Sequence, residues 1–87
     1  MEPIKVNLWA DYLKQHPNFT GCLINRCNDI ARFKDSVLHN ENGPAVEYND
    51  NTTKFWFLNG VPYDPQHYKI EVRKIKLERI LTKTKKL

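Results

Sequence analysis

Five turn signals break residues 19–63 into short pieces, and nothing else in the chain constrains its fold as much. Asn28-Asp29, Asp35-Ser36, Asn40-Glu41-Asn42-Gly43-Pro44, Asn49-Asp50-Asn51 and Asn59-Gly60 begin five to ten residues apart. Asn, Asp and Gly tolerate positive φ, and proline fixes φ while offering no N–H. No helix of ordinary length fits between such breaks. The pieces left over are Phe19–Ile24, Ile30–Lys34, Val37–His39, Ala45–Tyr48, Thr53–Leu58 and Val61–Tyr63, rich in β-branched and aromatic residues. They predict an antiparallel β-meander of four to five short strands.

The flanks differ. Over 5–15, Val6, Trp9 and Leu13 recur at helical spacing and Pro17 stops the pattern, which predicts a short amphipathic helix. At the other end Asp64 is a good N-cap and Pro65 suits the first helical position. Tyr68, Val72 and Ile75 then share one stripe, broadened by Leu77, Ile80 and Leu81, with Lys74 able to pair to Glu71 or Glu78. A long helix is expected over 65–82, with a basic tail at 83–87. At 87 residues this is one α+β domain.

An internal repeat runs through the meander. Arg32–His39 aligns with Trp56–Tyr63 at an offset of 24, laying Asp35-Ser36 on Asn59-Gly60. That period is the size of a hairpin.

Charge separates the two parts. Residues 1–64 carry six bases and eight acids, whereas 65–87 carry eight bases against Glu71 and Glu78, so the net +4 comes from a helical segment at +6. A local excess of this size points to an acidic partner, nucleic acid or protein. Lys69, Arg73, Lys76, Arg79, Lys83, Lys85 and Lys86 are the candidate contacts. The plain alternative is a solvated helix face. Within Phe55-Trp56-Phe57, the two phenylalanines share one strand face and Trp56 takes the other. Trp56 beside Arg32 is a second candidate partner surface, unless helices cover both faces.

Other chemistries find little footing. His39, Glu41 and Asp35, with His67, could be drawn as an acid–base set, yet no spacing fixes their geometry. Three glycines, at 21, 43 and 60, cannot build a phosphate-binding loop. Cys22 and Cys27 lie five positions apart, on opposite faces of an extended segment, and the histidines have no zinc-finger spacing. Two reduced thiols are expected, with no metal and no other cofactor. The start lacks a secretory pattern and no run nears the roughly 18 apolar residues of a membrane span. A cytoplasmic protein without membrane contact is expected.

Leu38-His39-Asn40-Glu41-Asn42-Gly43-Pro44-Ala45-Val46-Glu47-Tyr48, continued by Phe55-Trp56-Phe57-Leu58-Asn59-Gly60, resembles a hairpin repeat of many bacteriophage and bacterial proteins. Its pattern is His-Arg-Glu-Asp-Gly-Pro-Ala-Val followed by Trp-Tyr-Leu-Asn-Gly, a variant of the membrane occupation and recognition nexus repeats. The likeness covers about 30–63, with Asn40, Asn42 and Asn51 in place of the usual Arg, Asp and Gly. It implies a hairpin used as an interaction surface, with no catalytic residues. It further implies a phage protein in a bacterial cytoplasm that inhibits or redirects a host or toxin factor, such as a nuclease or RNA-bound toxin. An RNA-binding regulator and a small assembly protein that dimerises are the alternatives.

Overall fold

The computed structural model describes residues 3–84, with side chains up to 81. In chain order the elements are β1 (Ile4–Lys5), α1 (Trp9–Gln15), β2 (Gly21–Ile24), β3 (Ile30–Lys34), β4 (Val37–Leu38), β5 (Val46–Glu47), β6 (Lys54–Leu58), β7 (Val61–Tyr63) and α2 (Pro65–Thr84). The class is α+β, as expected, but among the described residues the strands number seven rather than four or five. They run β1-β2-β3-β5-β6-β7, and β4 shares the edge of β3 with β5. Five antiparallel pairings are consistent with a meander. The sixth departs from it, because β1 lies parallel to β2, Ile4 opposite Leu23 and Lys5 opposite Ile24. The strand takes Lys5 out of the expected N-terminal helix, which begins at Trp9. The C-terminal helix runs on past 82 to Thr84, so Lys83 is helical; the rest of the expected basic tail, 85–87, lies outside the described residues.

The turns explain the strand boundaries. Asp35-Ser36 has φ of 48° and 66°, and Asn59-Gly60 has 51° and 82°, so both two-residue loops carry the double positive φ of a type I′ turn. These are the positions that the alignment at an offset of 24 superposes. The two hairpins, β3–β4 and β6–β7, also touch: the Gly60 N–H donates to the Leu38 carbonyl at 2.8 Å. A Cβ at Gly60 would stand 3.4 Å from that of Val37. Glycine there satisfies both the φ and the close approach.

The sheet carries a helix on each side. Leu23, Ala31, Phe33 and Val46 form one buried cluster, completed by Trp9, Tyr12 and Leu13 of α1 together with Phe57. Leu58, Tyr68 and Val72 form a second, with Trp56, Tyr63 and Ile75 around it. Strand alternation decides which residue serves which core: along β6, Trp56 and Leu58 turn to α2 while Phe57 turns to α1. Phe55, on the Phe57 side, remains 46% exposed and meets Tyr48 edge to face at 5.8 Å.

Candidate functional site

The helix α2 is started by the residues expected to start it. Asp64 Oδ1 accepts the His67 N–H at 3.0 Å and the Asp64 carbonyl accepts the Tyr68 N–H at 2.9 Å. Successive residues advance about 100° around a helix, so Tyr68, Val72, Ile75 and Arg79 form a single stripe. The first three pack on β6 and β7. Tyr68 ties the helix to the Asn40–Pro44 loop, its hydroxyl donating to the Asn40 carbonyl at 2.5 Å and accepting the Gly43 N–H at 3.1 Å.

Arg79 makes the second tie, and here the candidate contacts divide. It donates to both oxygens of Glu41 at 2.6 Å, although Glu41 lies 38 residues away. Glu41 also faces His39, whose Nε2 is 3.2 Å from Oε2. Because His39 Nδ1 accepts the Asn59 N–H at 2.8 Å, the ring proton belongs on Nε2, directed at the carboxylate. A continuous latch results: the β6–β7 turn, His39, Glu41, then the far half of α2. Arg79 is therefore engaged inside the molecule rather than offered to a partner. Of the acid–base set, Asp35, His39 and Glu41 line one shallow surface pocket, whereas His67 lies outside it, held by Asp64 at 2.5 Å.

The latch has a pH signature. Hydrogen bonds from Arg79, and secondarily from His39, hold Glu41 below its ordinary value of 4.5 against the opposing effect of burial. The same interaction raises Arg79. A carboxyl depressed on folding stabilises the fold above its unfolded pKa, and that contribution is lost as pH falls through the folded value. Asp64 is depressed as well, and Asp50, capping its turn through Thr53 and Thr52, falls to about 2. The urea midpoint should therefore decline on acidification below about pH 5. Glu41→Gln should be less stable than the parent at neutral pH, and the gap should narrow in acid. A gap independent of pH would show that the carboxylate charge has no role.

Three candidates remain as a group. Lys69, Arg73 and Lys76 are exposed and lie within an arc of about 60° along some 10 Å of helix axis. Among the described residues the ion pairs of α2 involve Lys74 with Glu71, at 3.4 Å, Arg79 with Glu41, and His67 with Asp64. Lys74 pairs there with Glu71 rather than Glu78. Glu71 and Glu78 point to roughly the opposite side of the helix from the three cations. With Tyr68, Val72, Leu77 and Ile80, the cations line a shallow trough of about 500 Å³. Leu77 is 54% exposed. Lys83 belongs to the same helix, whereas Lys85 and Lys86 lie outside the described residues.

Trp56 and Arg32 do not form a joint surface. The strand β5 separates them. Trp56 is half-buried against Tyr68, ring centroids 6.4 Å apart, and Arg32 donates to Glu47 at 2.7 Å and to the Pro44 carbonyl at 3.1 Å. The open ring on β6 is that of Phe55, not Trp56.

Cys22 is buried and Cys27 exposed, both free, and desolvation pushes the Cys22 thiol up. Among the described residues no cluster of three His, Cys, Asp or Glu could hold a metal ion, and no helix is long and apolar enough to cross a membrane. No protein-family model, curated protein or solved structure matches the chain.

Proposed function

We propose that the chain is a small non-enzymatic binding protein that takes an acidic protein partner on the cationic face of α2. The observation that carries this is the set Lys69, Arg73 and Lys76, gathered on one arc with no acid facing them among the described residues. Cations left without a local partner lend steering and specificity to an acidic surface. The lining favours protein over nucleic acid. Leu77 and Ile80, both more than half exposed, offer apolar area that a phosphate backbone would not use, and single-strand readers pair their charge with exposed rings. The nearest ring, Tyr68, is 6% exposed and its hydroxyl is committed to the Asn40–Pro44 loop. The likeness of residues 30–63 to phage and bacterial hairpin repeats supports a host or toxin factor as the partner, inhibited or redirected in a bacterial cytoplasm.

Affinity capture on the full chain, with and without nuclease, tests this. A protein retained after nuclease treatment, and lost with Arg73→Glu/Lys76→Glu, is the expected result. Capture abolished by nuclease would transfer the function to RNA or DNA binding, and capture unchanged by the double reversal would remove α2 from the interface.

A further inference from the structure

We infer that the partner segment seated on α2 is an acidic amphipathic α-helix, packed along the trough with its carboxylates on Lys69, Arg73 and Lys76. The inference rests on the acidic-partner reading and narrows it to one kind of surface.

The spacing carries the argument. Lys69, Arg73 and Lys76 stand at i, i+4 and i+7, so their rises along the axis are those of three acids at i, i+4 and i+7 on a second helix. Two helices laid side by side can therefore match three opposite charges without distortion. An extended strand, at about 3.3 Å per residue with alternating side chains, meets this spacing only irregularly. The apolar residues fit as well. Leu77 flanks the cations on one side of the arc and Ile80 continues them along the axis, both more than half exposed, so an approaching helix would bury an apolar edge while its acids reach the cations. Helix-on-helix contact buries the apolar stems of Lys and Arg too, leaving their charged ends to pair.

Charge also says what the occupant is not. A second copy of the chain, joined through the same face, would set three cations against three cations, and like charges across an interface repel. Glu71 and Glu78 lie too far round the helix to compensate. A phosphate backbone would satisfy the cations but leave Leu77 exposed.

The test uses the full chain and two synthetic peptides of identical composition. One carries Glu at i, i+4 and i+7 beside a leucine stripe; the other spreads the same glutamates evenly around the helix. By fluorescence anisotropy the patterned peptide should bind about tenfold more tightly, and Arg73→Glu should weaken it by at least about tenfold. Leu77→Ser should weaken the patterned peptide and leave the scrambled one unchanged. Arg73→Gln, checked by circular dichroism, keeps the helix while removing the charge and should give an intermediate loss. Equal binding of the two peptides would overturn the inference, as would a dimer in sedimentation that Leu77→Ser dissolves. An RNA oligonucleotide that displaces the patterned peptide and binds more tightly would overturn it also. If a nuclease-resistant partner is captured yet the peptides bind alike, the helix inference fails and the acidic-partner reading stands. Should capture also ignore Arg73→Glu/Lys76→Glu, both fail.

Discussion

Replacing Tyr68 with alanine should lower the unfolding free energy by about 4 kcal/mol, within the usual cost of deleting a buried aromatic side chain. Tyr68 is 6% exposed and stands at the centre of the second core, between Leu58, Val72 and Trp56. Its ring supplies apolar area while its hydroxyl joins α2 to the Asn40–Pro44 loop through two hydrogen bonds. Phenylalanine separates these roles, because it keeps the ring and removes the hydroxyl. The Asn40 carbonyl and the Gly43 N–H, both in half-buried residues, would then lack that partner, at a cost of about 1–2 kcal/mol. Urea unfolding with an unchanged slope measures both numbers. A Tyr68→Phe chain as stable as the parent would mean that water replaces the hydroxyl without loss. The alanine variant has a functional consequence as well. Without Tyr68 the trough loses its floor, so the patterned acidic peptide should bind less well even in the fraction that remains folded.

How much of this was legible beforehand depends on the distance over which each feature is encoded. Asn59-Gly60, Asp35-Ser36 and the Asp64-Pro65 cap act within a few residues, and each appears where its chemistry requires. The alternation of Phe57 and Trp56 was equally local, although the side on which each helix would lie was not. What escaped was nonlocal. The strand β1 is two residues long and exists through its pairing with Leu23 and Ile24, so Ile4 and Lys5 carry no periodic pattern of their own. The seven basic candidates in the C-terminal segment looked alike as a charge run. Only the fold brings Glu41 to Arg79 and so separates a structural cation from Lys69, Arg73 and Lys76. The motif did offer one signal, His39 and Glu41 two residues apart beside a tight turn. Their common use, in fastening a helix to a hairpin, depends on a contact 38 residues distant.

Leu23→Ala should cost about 3 kcal/mol, a large part of the roughly 4–13 kcal/mol expected for a domain of this length. Leu23 is wholly buried at the middle of β2, opposite Ile4 on one side and Ala31 on the other. Ala31 is itself fully buried and too short to fill the space, and the sheet holds the two strands at fixed separation. The cavity therefore persists, which places the substitution well inside the expensive range for leucine truncation. The two tryptophans make the result more informative than a single number. Trp9 belongs to the core under α1, and Trp56 to the core under α2. The variants Trp9→Phe and Trp56→Phe each leave one reporter. Along β6, Phe57 and Leu58 are consecutive residues that serve opposite cores, so loss of that strand's pairing disturbs both at once. In the Leu23→Ala background the two fluorescence transitions should therefore coincide at a lower urea midpoint. Early loss of the Trp9 signal, with the Trp56 transition left at its original midpoint, would show instead that β6 does not couple the cores. The second helix and its cationic face would then stand on the β6–β7 hairpin alone.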